Sequence, residues 1–160
     1  MDLFSMEFFM KNNIELSEVS SDHKVESSDS IFDDWHVVSA YTRKTAISDG
    51  VLVDISEIAK EAGFKLPVAL TRTVWNDCVE WDDKDSKRQI HQDQEGRLWD
   101  IVYMAAMAGR NSNSSELIYE LYSVPRGGLA KKSVLIRLKS HIGPGDDGEP
   151  VITIMKTNED

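Results

Sequence analysis

The sequence holds one cysteine, Cys78, so no internal disulfide can form, and the chain fits a reducing compartment. One thiol and four scattered histidines (His23, His36, His91, His141) also lack the clustered spacing of a zinc site. No metal and no cofactor is expected. Long hydrophobic runs are missing: none approaches the roughly 20 residues of a membrane span, so no membrane is expected. The apolar opening Leu3–Met10 has no basic n-region before it and is interrupted by Glu7, which argues against a signal peptide. These absences together predict a cytoplasmic protein. Basic residues are also scarce, 18 Lys and Arg against 28 Asp and Glu, for a net charge of -10. Phosphate backbones need clustered Lys and Arg, so no direct nucleic-acid partner is expected.

The acidity is unevenly placed. Residues 1–35 carry nine acids against Lys11 and Lys24, a net of -7 out of -10, which leaves -3 on the remaining 125 residues. Glu15–Ser30 is rich in Ser, Asp and Glu and poor in large apolar groups, so it cannot offset the entropy of ordering. Residues 1–34 are therefore expected to be an acidic, largely disordered segment, and residues 35–160 a single globular domain.

That domain is organised around Tyr41–Asp54. Thr42 is a predicted N-cap, Arg43–Asp49 a short helix, and Gly50 its stop. Val51-Leu52-Val53 is a short apolar run expected to be buried, and a second helix follows Asp54. Thr71 is a second predicted N-cap, opening an amphipathic helix through Val74, Trp75, Cys78, Val79 and Trp81. Asp82–Arg88 is expected to be a solvated loop. Leu98, Ile101, Val102, Ala105 and Ala106 form the inner stripe of a long helix from about Gln94 to Met107, with Trp99 and Tyr103 beside it. The indoles of Trp75, Trp81 and Trp99 are expected in the core.

After Ser115 the apolar period changes from 3.6 to 2. Leu117–Tyr122, Val134–Lys139 and Val151–Met155 are predicted strands, separated by turn residues at Pro125–Gly128 and Gly143–Gly148. The predicted fold class is α+β: an N-terminal helical half packed on a three-stranded antiparallel β-meander.

Several stretches of the body resemble one family: Tyr41-Thr42-Arg43, Asp49–Asp54, Ala62-Gly63-Phe64, Pro67–Thr71 with Val74-Trp75, Gly96–Asp100, and Gly143–Met155. It is a family of uncharacterised small bacterial proteins often carried on plasmids, phages and other mobile elements, and the resemblance covers roughly residues 40–160. The resemblance implies context and no catalytic residues. Small accessory proteins of such elements are often antagonists of host defence, of the anti-restriction or anti-CRISPR kind.

Two sets of residues stand as candidate sites. Arg43, Asp49, Asp54, Arg97 and Asp100 are expected either to lock two helices together through bidentate salt bridges or to line a pocket where two arginines grip an anion. Asp77, Glu80, Asp82, Asp83 and Asp85 form the most acidic part of the body, and they are expected to meet a partner's basic groove if the protein occludes a nucleic-acid-handling enzyme. Cys78, on the indole-bearing face, is expected to be an inert buried thiol. Asp146, Asp147 and Glu149 are expected in an acidic hairpin turn without the length of a calcium loop. The leading expectation is a non-enzymatic acidic interaction protein acting on a host protein. The alternative is a small enzyme or anionic-ligand-binding domain using the Arg/Asp set.

Overall fold

A computed structural model of the chain describes residues 41–110 and 112–159. The expectation for residues 1–34 lies outside them.

Local chemistry starts the fold where the sequence indicates. The Thr42 hydroxyl accepts from the Thr45 amide at 3.0 Å and opens α1 (Arg43–Ser48). Gly50, at φ 74°, reverses the chain into β1 (Leu52–Asp54). Asp54 then accepts from the amide and hydroxyl of Ser56 at 2.9 and 2.5 Å, at the start of α2 (Ser56–Glu61). β2 (Val68–Thr71) is buried at Val68, Ala69 and Leu70. Thr71 caps α3 (Arg72–Val74), which widens at once into a π-helical turn, Trp75–Val79. The expected regular helix is therefore replaced by one short turn and one wide one, which still buries Val74, Cys78 and Val79.

Two expectations are corrected in this half. Val51 is 52 % exposed, and Leu52 and Val53 are only half-buried, because β1 is an edge strand. Residues 82–88 are no solvated loop. Asp82 and Asp85 form a reciprocal capping box that starts α4 (Asp83–Arg88), and Asp85 is buried. The long helix α5 (Gln94–Gly109) opens on an Asp93 cap and buries Ile101, Val102, Ala105 and Ala106 as its periodicity predicts.

The sheet is also larger than expected. β3 (Glu116–Ser123), β4 (Val134–Pro144) and β5 (Pro150–Lys156) pair antiparallel in succession. β2 then pairs parallel to β5, and β1 antiparallel to β2, giving a five-stranded mixed sheet in the order β1-β2-β5-β4-β3 rather than a three-stranded meander. The fold class is α+β. Central β5 buries Val151, Ile152, Ile154 and Met155, so both of its faces are covered.

Side chains alternate across the sheet, and this sets which layer each residue joins. Ile152, Ile154, Leu138, Tyr119 and Leu121 pack with Ile101, Val102 and Ala105 of α5 in one core. Thr153 belongs to the opposite face, where Arg43 of α1 reaches its hydroxyl at 2.9 Å.

Candidate functional site

At the end of the sheet beside the π-helical turn lies an open groove of about 620 Å³, within the size range of small-molecule sites. Its walls include Asp77, Cys78, Pro125, Arg126, Ile136 and Lys156. Arg126 stands in the loop between β3 and β4 and gathers most of the nearby acids. Its Nε donates to Asp85 Oδ2 at 2.7 Å, its Nη1 to Glu80 Oε2 at 2.5 Å, and its Nη2 lies 3.6 Å from Asp82 Oδ2. Arg88 takes the other Asp85 oxygen at 2.9 Å. The Arg126 hydrogen bond, with help from the Asp82 amide and Arg88, holds the Asp85 carboxyl at about 2 despite its burial. The same bond to Asp85 raises the Arg126 pKa. Across the groove Lys156 pairs with Asp77, which raises the lysine.

The loop is fastened from two further points. Gln89 Nε2 donates to the carbonyls of Pro125 at 2.7 Å and Ala130 at 3.0 Å. Arg97, buried on α5, donates to the carbonyls of Val79 at 3.2 Å and Val124 at 3.1 Å, and lies 4.7 Å from the centre of the Trp81 ring. Burial lowers the Arg97 pKa, and an arginine so placed keeps its charge. Burial also pushes the Cys78 thiol up, which makes it a poor nucleophile near neutral pH. The groove thus sets apolar Cys78, Pro125, Ile136 and Leu138 beside the paired charges of Lys156 with Asp77 and of Arg126 with its acids. The carboxylates of Asp77, Glu80, Asp82 and Asp85 are each paired with a lysine or arginine.

The two candidate sets separate on inspection. Among the acids, Asp77, Glu80, Asp82 and Asp85 are engaged by Lys156, Arg126 and Arg88, and Asp85 is withdrawn from solvent. Asp83 is exposed and makes no side-chain ion pair or hydrogen bond among the described residues. Four of the five acids thus join an ion-pair network around Arg126, Arg88 and Lys156, and Asp83 stands outside it.

The Arg/Asp set does not converge. Arg43 contacts Thr153 and the Ile152 carbonyl on one side of the sheet, whereas Arg97 lies in the helical layer on the other. Asp49 accepts from the Tyr41 hydroxyl at 3.2 Å, and Asp54 accepts from Ser56. Asp100 is exposed. Both forms of the expectation, the helix lock and the two-arginine clamp, are replaced by separate structural tasks. Asp146 accepts from the amides of Arg43 and Lys44 at 2.5 and 2.9 Å, so the acidic turn holds the start of α1. No group of three or more His, Cys, Asp or Glu among the described residues could hold a metal ion.

The residues that build this region and escaped sequence reasoning are Arg126 and Gln89. Each looks like a surface residue in its own neighbourhood, and only the tertiary contact reveals its role. Trp99 is a further correction. It is 36 % exposed and stacks on Tyr103, itself 45 % exposed, with ring centroids 6.4 Å apart. Large aromatics are thus displayed on the outer face of α5 instead of being spent in the core.

No helix among the described residues is long and apolar enough to cross a membrane. Residues 28–160 match a family of unknown function, DUF6573, and the chain belongs to that family. The match begins upstream of the residue-40 start that the sequence motifs indicate. No curated protein and no solved structure matches the chain.

Proposed function

We propose that this family member is a non-enzymatic interaction protein that acts by occluding a host protein, and that it does so in the cytoplasm as an antagonist of a nucleic-acid-handling defence enzyme. One observation carries the interaction role: the stacked Trp99–Tyr103 pair, with Met104 36 % exposed on the same helix. Trp and Tyr dominate the energetically decisive positions of protein interfaces, because each supplies large area at little entropic cost. The defence part is supported by the resemblance of the body to small proteins of plasmids, phages and other mobile elements. The paired charges around the groove support a non-catalytic reading, since an acid–base site needs a group free to exchange its proton.

The acidic region enters this reading in reduced form. Asp82 and Asp83 remain at the surface and can steer a basic partner, while Asp85 cannot. The test is affinity capture from the native host, then binding kinetics with the purified partner. Trp99→Ala with Tyr103→Ala is expected to weaken binding at least tenfold or so at nearly unchanged melting temperature. Asp82→Asn with Asp83→Asn is expected to slow association at low salt. Unchanged affinity and kinetics in both double variants would remove the proposal.

A further inference from the structure

The long edge strand β3 has a self-complementary free side. Its eight residues pair with β4 in an unbroken register, Glu116↔His141 through Ser123↔Val134. The Ile142 amide donates to the Ser115 carbonyl at 2.7 Å, so Ser115 and Ile142 continue the same ladder as a hydrogen-bonded pair. Antiparallel ladders alternate such pairs. Leu117, Tyr119, Leu121 and Ser123 therefore spend their backbone groups on β4, and Glu116, Ile118, Glu120 and Tyr122 direct theirs outward. The Glu116 amide is taken by Ser114 Oγ at 3.2 Å. Among the described residues, no hydrogen bond reaches the outward amides and carbonyls of Ile118, Glu120 and Tyr122.

Among the described residues nothing pairs with this edge, and its only charged guards are Glu116 and Glu120. β3 contains no proline, no lysine and no bulge, whereas the opposite edge, β1, is only three residues long. Ile118 and Tyr122 are 57 % and 69 % exposed, on the sheet face away from α5.

We propose that β3 pairs antiparallel with β3 of a second copy of this chain, joining two five-stranded sheets across a two-fold axis at Glu120. The register follows from the positions of the free groups. Setting Glu120 opposite Glu120 of the second copy places Ile118 opposite Tyr122 and Tyr122 opposite Ile118. All three outward residues then become hydrogen-bonded pairs, about six inter-chain bonds in all. A β-branched side chain facing an aromatic one is a favourable cross-strand pair. The central carboxylates would repel alone, but each is held by its own Arg137 at 2.6 Å. The row across the axis, arginine–glutamate–glutamate–arginine, is neutral. Self-pairing of this kind is the isologous contact of two-fold dimers. A second copy supplies the complementary side-chain pairs by symmetry. The interface is independent of the proposed partner surface, because the Trp99–Tyr103 pair lies on the helical side of the sheet.

The test uses the full chain in analytical ultracentrifugation across a concentration series. The wild-type protein is expected to show a concentration-dependent monomer–dimer equilibrium. Glu120→Pro removes an outward amide and no β4 bond, so it is expected to yield monomer with an unchanged circular dichroism spectrum. Ile118→Lys with Tyr122→Lys is a second variant with the same expected outcome, should proline disturb the strand. The register is read by cysteine crosslinking. Residues opposite each other in a hydrogen-bonded pair have Cα atoms about 5.5 Å apart, within disulfide reach. Under mild oxidation Glu120→Cys is expected to crosslink to itself, and Ile118→Cys only when mixed with Tyr122→Cys. A wild-type monomer at every concentration overturns the proposal, as does a dimer that survives both edge variants. Self-crosslinking by Ile118→Cys in place of Glu120→Cys also overturns it. So does a monomer that captures a foreign protein through this edge and loses it in Glu120→Pro.

Discussion

Arg126 reaches back 41 residues to place its Nε 2.7 Å from Oδ2 of Asp85, a carboxylate withdrawn almost wholly from solvent. That contact ties the loop before β4 to the first turn of α4. Replacing Asp85 by Asn keeps the volume, but it removes the charge from two arginine hydrogen bonds and weakens the capping box. A charge-assisted hydrogen bond is worth about 1.5–3 kcal/mol, so Asp85→Asn is expected to cost at least about 2 kcal/mol in denaturant unfolding. The pH dependence has a definite sign. The folded pKa, about 2, lies below the ordinary aspartate value near 3.9, so between them the unfolded chain binds more protons. The stabilisation is complete above about pH 4 and lost as pH falls towards 2. The gap between wild type and variant should therefore close over that window. A gap that stays constant down to pH 2 would show that the carboxylate charge is not what matters.

The neighbouring acids should behave differently. Asp82 caps α4 through its oxygen, a task Asn performs about equally well, and Asp83 has no side-chain partner among the described residues. Asp82→Asn with Asp83→Asn is expected to shift stability by no more than about 0.5–1 kcal/mol. Calorimetry of this variant beside Asp85→Asn separates surface charge from structural charge within one short segment. A loss as large as that of Asp85→Asn would mean that the 3.6 Å approach of Arg126 to Asp82 matters more than its length suggests.

The contrast explains which parts of the fold were legible. Thr42, Thr71 and the α5 stripe act through contacts within a few residues, and the alternation in β3 to β5 is a local pattern as well. β1 and β2 have three and four residues, too short to show a period, and β2 sits beside a strand near the other end of the chain. Residues 82–88 hold six charged side chains in seven, a pattern that locally favours solvent. The burial of Asp85 among them depends on Arg126, whose own neighbours Pro125, Gly127 and Gly128 suggest only a turn. The Arg43 and Arg97 pairing failed for a related reason. Sequence spacing cannot say on which side of a sheet an unrecognised strand places each helix.

Cys78 offers a direct check on the groove wall. It is 6 % exposed, and burial raises its pKa, so little thiolate exists near neutral pH. Labelling by a thiol reagent is expected to be slow in the native protein and complete within the mixing time in denaturant. Fast native labelling would mean that the π-helical turn opens readily, and that the groove is deeper in solution than its walls indicate.

Arg97 carries the last prediction, because its charge is buried without a carboxylate at hydrogen-bonding distance. Its guanidinium is instead held by the carbonyls of Val79 and Val124 and by the face of Trp81. A planar fork can serve two carbonyls and stack on an indole at once, and an ammonium cannot. Arg97→Lys is therefore expected to leave at least one buried carbonyl unpaired, at about 1–3 kcal/mol, and to change Trp81 fluorescence. The sign of the pH dependence follows from burial. A lysine ammonium in that position would have a folded pKa below its unfolded value, so the unfolded state would bind more protons. The variant should regain stability relative to wild type as pH rises from 7 towards 10. A variant with wild-type stability and a flat difference over that range would show that the carbonyl clamp does not hold the β3–β4 loop in place.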